Sequence, residues 1–244
     1  MPASTLESAI NQRMVTAAAG TFKVSGGTIW SGAGTFVFSG PLNSSNRLSP
    51  LIVPLRWSFV PSGLLTLRLS FDVVTDGRAI KGTAQLGVGP SNIKISDADL
   101  SSSLELVARF NRNLALLRPS GDISIRSQNE SLMVNYAAPN LAHGSLRVAA
   151  TNVRLQSIGA DRFGSYEAKL FFDGQTIRYQ LDKSSGMLML KGEGAVVLAT
   201  PKQFRYTGFA TLSRAAPSWL PAALLLVSRP SLDGRFNIDY KTGF

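Results

Sequence analysis

The sequence predicts an all-β fold: one long, strongly curved, mostly antiparallel sheet, open like a half-barrel or tube, with about three short helices. Three observations predict it. Apolar and polar residues alternate with a period of two along most of the chain. Gly-containing turn signals break that alternation at the short spacing of all-β chains. Of the 244 residues, 44% are hydrophobic and 16% charged, which supplies a core and excludes disorder as the overall state.

The first element is a helix over residues 2–13. Ser4 and Glu7 have capping-box spacing, and Leu6, Ala9, Ile10 and Arg13 share one face. It ends before the small residues Ala17–Gly20. Strands follow. Leu55, Trp57 and Phe59 alternate with Arg56 and Ser58, and Leu65, Leu67, Leu69 and Phe71 with Thr66, Arg68 and Ser70. Ile123 and Ile125 flank Ser124. Tyr166, Ala168, Leu170 and Phe172 share a parity, as do Ile177, Tyr179 and Leu181, and then Phe236, Ile238 and Tyr240. Each pattern gives a strand with one wet face. Asp76-Gly77, Asp173-Gly174 and Ser185-Gly186 read as hairpin turns, and Asp233-Gly234 as the lead into the final strand. Roughly a dozen to fifteen strands are expected.

Two further helices interrupt the strands. One spans 101–112, with a serine cap and Leu104, Val107 and Phe110 at helical spacing. The other spans 218–227, with Ser218 as N-cap and Pro221 in its first turn. Each precedes a similar phrase, Arg118-Pro-Ser-Gly-Asp-Ile and Arg229-Pro-Ser-Leu-Asp-Gly. No linker divides the chain. The expectation is one domain over 1–244, possibly two similar halves, 20–126 and 144–244, sharing one sheet.

The residue inventory excludes much chemistry. There is no cysteine, so disulfides, thiolate zinc sites and cysteine nucleophiles are out. One histidine, His143, falls in an expected loop at 137–145 without a carboxylate at a recognisable spacing. Asp97 and Asp99 read as the polar approach to a helix rather than as a glycosidase pair. Gly26-Gly27, Gly32-Ala33-Gly34, Gly87-Val88-Gly89 and Gly192-Glu193-Gly194 lack both nucleotide spacings and read as bulges or turns. Lys202–Phe209 interleaves basic and aromatic residues, but Phe204 and Tyr206 share a core parity, so no nucleic-acid partner is expected. No catalytic residue, metal or cofactor is assigned.

Net charge is +10, and it is dispersed: residues 1–126 hold 12 Lys/Arg against 7 Asp/Glu, and 127–244 hold 13 against 8. A nucleic-acid arm or membrane anchor would be a block of like charge. Arg56, Arg68, Arg178 and Arg235 fall on polar parities and are the candidates for a face that meets anionic partners. No apolar run approaches the ~20 residues of a membrane span.

Trp30 lies in Gly27-Thr-Ile-Trp-Ser-Gly-Ala-Gly34, and Trp57 in Pro54-Leu-Arg-Trp-Ser-Phe59; both are expected to be buried. These phrases, with Trp30, Ser31, Gly32, Arg56 and Trp57 as a structural signature, resemble the type II secretion system protein N family. The closing Gly234-Arg-Phe-Asn-Ile-Asp-Tyr240 strand is similar too. The resemblance implies the periplasmic domain of a single-pass inner-membrane protein of Gram-negative bacteria. It implies a non-enzymatic accessory of a machine that exports folded proteins through a secretin. The membrane helix of that family is missing here, so Met1 reads as a start placed on a truncated periplasmic piece; a naturally soluble relative is the alternative. The implied partners are the inner-membrane platform and the secretin, and possibly peptidoglycan. Two functions then compete: a scaffold linking these parts, and a carrier holding a lipid or other amphiphile in an apolar trough. A hydrolase is remote. A trough filled by side chains favours the scaffold, and an open apolar lining favours the carrier.

Overall fold

A computed structural model describes residues 2–5, 7, 8, 11, 20–38, 50–109, 112–127, 130–135, 138, 141–197 and 203–242. Fifteen strands form one sheet. They are β1 (Gly20–Gly27), β2 (Ser31–Phe38), β3 (Leu51–Val60), β4 (Leu69–Asp76), β5 (Ile80–Val88), β6 (Asn92–Ser103), β7 (Pro119–Arg126) and β8 (Ser131–Asn135). Then come β9 (Ala142–Leu155), β10 (Ala160–Gly174), β11 (Thr176–Gly186), β12 (Leu188–Val197), β13 (Phe204–Leu212), β14 (Ser228–Pro230) and β15 (Phe236–Thr242). Three short α-helices are described: α1 (Leu104–Arg109), α2 (Arg112–Leu116) and α3 (Trp219–Leu225).

Every pairing is antiparallel, and β1 to β7 lie side by side in chain order, followed by β9 to β13, β15 and β14. β8 continues β7: both sit between β6 and β9, β7 at one end and β8 at the other. The break between them centres on Ser127, fully buried, whose hydroxyl accepts the Ala98 N–H at 2.8 Å and whose N–H donates to the Ala98 carbonyl at 3.0 Å. The pairing register slips at Thr83/Gln85, Ser120/Asp122, Gly164/Tyr166 and Glu167/Ala168. Asp97 and Asn152, opposite two of these slips, take left-handed φ of 48° and 53°. Bulges bend a strand and steepen its twist, which is how one sheet curves without a second sheet behind it. The sheet stays open: β1 ends it on one side and β14 on the other.

Several expected elements shift. The helix expected over 101–112 gives up its first turn, because Ser101–Ser103 complete β6. The hydroxyls of Ser101 and Ser102 bond neighbouring backbone instead of capping, donating to the Lys81 carbonyl at 3.4 Å and the Ala79 carbonyl at 2.7 Å. The strand expected through Leu65–Phe71 starts only at Leu69. Pro61-Ser62-Gly63 opens a 3-10 turn, Pro61–Thr66, that ends with Leu67 at φ 54°. Ser218 flanks α3 in helical backbone conformation and makes no side-chain cap bond. Asp233-Gly234 leads into β15, as expected, and also closes a short hairpin with β14. His143 lies in β9, where its cross-strand partner is Asp173, which is ion-paired to Arg178 at 3.0 Å.

Both edges of the sheet are guarded. The Asn11 side chain pairs with β1 as a strand would: the Phe22 N–H donates to its Oδ1 and its Nδ2 donates to the Phe22 carbonyl, each at 2.8 Å. Glu7, expected in a capping box, accepts the Val24 N–H at 2.8 Å instead. Ser4, Thr5, Glu7, Ser8 and Asn11 are helical, while the expected face of Leu6, Ala9, Ile10 and Arg13 lies outside the described residues. At the other edge β14 has three residues and ends in Pro230. Unpaired backbone at an edge invites a second chain, and plugs, short strands and proline prevent that.

Candidate functional site

The two tryptophan phrases are cross-strand partners. Gly32 in β2 faces Trp57 in β3, and a Cβ on Gly32 would lie 2.5 Å from the Trp57 ring. Gly34 makes the same room for Phe22, 2.8 Å from where its Cβ would be. Trp57 is 7% exposed, packs with Ala3 and Phe22, and donates its Nε1–H to the Thr28 carbonyl at 3.3 Å. The burial expected for Trp30 is not met: it is 45% exposed, standing edge-on to Phe59 with ring centres 4.8 Å apart. It closes the β1–β2 turn, where Thr28 Oγ1 accepts the N–H groups of Trp30 and Ser31 at 3.2 Å each. So the structure brings Trp30, Ser31, Gly32 and Trp57 into one cluster, and Arg56, next to Trp57, points to the opposite, exposed face.

The four arginines are not brought together. Arg56 is on β3 and Arg178 on β11, with β4, β5, β6, β7, β9 and β10 between. Arg178 borders an outer-face hollow of about 550 Å³ that Arg205 also lines. Arg235 precedes β15, paired with Asp233 at 3.2 Å and lying over the Phe209 ring at 4.7 Å. Arg68 departs from its expected strand position. It follows the 3-10 turn, half-buried, and its Nη1 is enclosed without a hydrogen-bond partner.

The apolar face is the larger feature. Register places Phe59, Phe71, Leu86, Ile95 and Leu132 opposite one another on successive strands, then Gly144, Phe172, Ile177, Val196 and Phe204. This row crosses ten strands, β3 to β6, β8 and β9 to β13, without a charged or hydrogen-bonding side chain. At about 4.8 Å per strand it runs for about 43 Å along the curve. Among its side chains only Leu132 is buried, and the rest keep part of their surface.

Helices cover one end of this face and leave the row at the other. Leu104 of α1 packs with Val153, Leu155 and Phe163, while Leu220 and Leu224 of α3 pack with Leu188, Ala210 and Ile238. Phe163 joins both clusters, so the two helices plug the same end. Among the described residues the buried apolar side chains do not gather in one core: the pair of clusters bridged by Phe163 lies at the helix-covered end, and the Ala3, Phe22 and Trp57 cluster lies apart from it. The accessible surface is 15328 Å², against roughly 10,600 Å² for a compact monomer of 26.1 kDa. A sheet that leaves much of one apolar face uncovered has this excess.

Next to the row stand three tyrosines, Tyr179, Tyr206 and Tyr240, with Gly194 between the first two. The rings of Tyr179 and Tyr206 are near-parallel, 6° apart. Glycines 192, 194 and 208 are the floor on which they lie: the Tyr206 hydroxyl sits 2.9 Å from where a Cβ on Gly192 or Gly208 would be. Burial raises the pKa of Tyr166, Tyr179 and Tyr206 above the ordinary phenol value. Sequence reasoning read Gly192-Glu193-Gly194 as a bulge or turn and missed this floor. The signal was there in part, since Gly192 and Gly194 share a parity within one strand; that Gly194 stands between Tyr179 and Tyr206 is set by register alone. Phe204 and Tyr206 take the apolar face and Arg205 the outer one, as their parity predicts.

Among the described residues no group of three His, Asp or Glu side chains could hold a metal ion. Among them, too, no helix is long and apolar enough to cross a membrane. A family model described as type II secretion system (T2SS), protein N, matches residues 22–239. Neither the curated proteins nor the solved structures contain a match. The match spans both tryptophan phrases and nearly the whole sheet, and the chain belongs to the type II secretion system protein N family.

Proposed function

We propose that the chain is a non-enzymatic accessory component of the type II secretion machine, working in the periplasm, whose open apolar face holds the acyl chains of an amphiphile. Family membership supports the role in secretion and implies other secretion components as partners. The observation that carries the amphiphile is the uninterrupted row from Phe59 to Phe204. A polypeptide laid on it would bury backbone groups against side chains that cannot pair with them, at about 1–3 kcal/mol for each unsatisfied group. A hydrocarbon chain has no such groups and gains roughly 25 cal/mol for each Å² taken from water. The test is native mass spectrometry of the protein after incubation with phosphatidylglycerol or phosphatidylethanolamine vesicles. A one-to-one lipid adduct that survives dilution is expected. A spectrum of bare protein with both lipids rejects the reading.

A second reading has its own observation. Arg56 and Arg178 stand exposed on the outer face of a chain with net charge +10, which suits a scaffold linking the inner-membrane assembly to the secretin or to peptidoglycan. Exposed pairs contribute about 0–1 kcal/mol each, so such contact is broad and salt-sensitive. Co-sedimentation with peptidoglycan sacculi tests it as the screening length falls from about 10 Å at 0.1 M salt to about 3 Å at 1 M. Binding lost at high salt supports a cell-wall contact, and binding absent at low salt removes it.

A further inference from the structure

Among the described residues four other than glycine have left-handed φ: Leu67, Asp97, Arg118 and Asn152. Leu67 is the one apolar side chain of the four, and it is 86% exposed. Left-handed backbone crowds a Cβ, and glycine, asparagine or aspartate takes it at less cost. The fold gains nothing from a leucine here, because the backbone is strained and the side chain stands in water. The conformation is nonetheless fixed. The Leu67 N–H donates to the Leu64 carbonyl at 3.0 Å and the Arg68 N–H to the Gly63 carbonyl at 3.1 Å, and Gly63 is buried against Ser70. The 3-10 turn Pro61–Thr66 thus holds Leu67 outward in a set geometry. A side chain kept at a cost to the fold has its use outside it.

Leu67 is not alone. Leu64 in the same turn is 53% exposed, and Leu69, which opens β4, is 40% exposed. Trp30, itself partly exposed, stands beside the turn: its carbonyl accepts the N–H of Phe59, just before Pro61, at 2.6 Å. This tip lies at the end of the apolar face that the helices leave open. There the apolar side runs out to the strand ends through the cross-strand neighbours Leu69, Val88, Ile93, Val134 and Ala142. Residues 59–71 and 86–95, which meet at this end, contain Arg68 and Lys94 and no carboxylate. Exposed leucines beside a tryptophan suit the interfacial layer of a bilayer, and basic residues behind them favour anionic head groups. We infer that Leu64, Leu67 and Trp30 form a tip that inserts into the surface of an anionic phospholipid bilayer. The apolar face then opens at that surface, so an acyl chain reaches the row without crossing water. This last step rests on the acyl-chain reading above; the tip itself does not.

The test is flotation of the protein with vesicles of phosphatidylglycerol and, separately, of phosphatidylcholine. The unaltered protein is expected to float with phosphatidylglycerol and far less with phosphatidylcholine. Leu67→Asn puts a polar side chain that tolerates left-handed backbone at the same place. It should keep or raise the melting temperature. It should weaken binding to phosphatidylglycerol vesicles about tenfold, the loss expected when one leucine no longer enters hydrocarbon. Leu64→Ser should weaken it too. Leu226→Asn, at the helix-covered end where the native side chain is 85% exposed, should bind as the unaltered protein does. No flotation with phosphatidylglycerol overturns the inference and leaves these leucines to a protein partner, and equal flotation with both lipids rejects the anionic surface. Leu67→Asn floating as well as the unaltered protein overturns it, as does release by Leu226→Asn instead. A lower melting temperature in Leu67→Asn overturns it as well, since Leu67 would then pack within the fold. Monomeric fatty acid, offered without vesicles, separates the tip from the acyl-chain reading, because Leu67→Asn should bind it unchanged. Vesicle binding without fatty-acid binding removes the acyl-chain reading and keeps the tip. Fatty-acid binding without vesicle binding removes the tip and keeps that reading.

Discussion

Gly32 and Trp57 are one structural unit written in two places. The ring occupies the volume a side chain on Gly32 would need, and its indole N–H fixes the preceding turn through the Thr28 carbonyl. Trp57→Ala should therefore cost about 3–5 kcal/mol, as large-to-small core changes do, and Gly32→Ala about 1–3 kcal/mol by overpacking. Trp30→Ala, at an exposed site, should cost less than either. Urea unfolding of the three variants checks the order. Parity made the burial of Trp57 legible in the sequence. The burial expected of Trp30 rested on the size of its ring, and it fails because Trp30 lies in the β1–β2 turn, where no strand face encloses it. Glu130 offers a pH test. The Lys169 ammonium and the Ser145 hydroxyl hold its carboxyl below the usual carboxylate range. The ionised form is thus favoured by folding. Its contribution is fully present above the unfolded value of about 4.3 and is lost as pH falls through the lower folded value. Thermal melts from pH 7 to pH 3 should show a smaller acid loss in Glu130→Gln than in the unaltered protein.

At the scale of elements, strands were legible wherever a residue on each face kept its period, as in β11 and β15. They were not legible where a side chain chose backbone outside its own segment. Ser101–Ser103 looked like a helix cap because nothing local reveals that β5 and β7 flank them on either side. Glu7 looked like half of a capping box for the same reason, and its partner, Val24, is 17 residues away. The helix that carries Glu7 and Asn11 is best seen as an edge plug. Asn11→Ala leaves the Phe22 N–H and carbonyl at the edge unpaired. We expect a loss of about 1–3 kcal/mol and faster exchange of the Phe22 amide. Slow association of chains through β1 should follow, read as a concentration-dependent rise in light scattering. Exchange at Phe22 as slow as in the unaltered protein would mean the plug is not what protects the edge.

For the whole molecule, curvature and openness decide what the apolar face is for. A compact chain of this length has a radius of gyration of about 18 Å. The open sheet predicts a larger value in small-angle scattering, and a value at or below the compact one removes it. The all-β class and the open sheet followed from alternation, but the trough's working surface did not. The row from Phe59 to Phe204 joins residues from ten strands, and only register aligns them. We propose that the two halves, 20–126 and 144–244, are built alike: in each a helical crossing joins neighbouring antiparallel strands, β6 to β7 and β13 to β15. The central claim is that acyl chains lie on the apolar face. Its most direct measurement is quenching of tryptophan fluorescence by fatty acids brominated along the chain, with Trp219 replaced by phenylalanine. Trp30 and Trp57 then report from the face itself, Trp30 in edge contact with Phe59 at one end of the row. Saturable quenching near one equivalent, strongest for one bromine position, is the predicted result. Emission unchanged across the titration, with unbrominated chains equally silent, would contradict it.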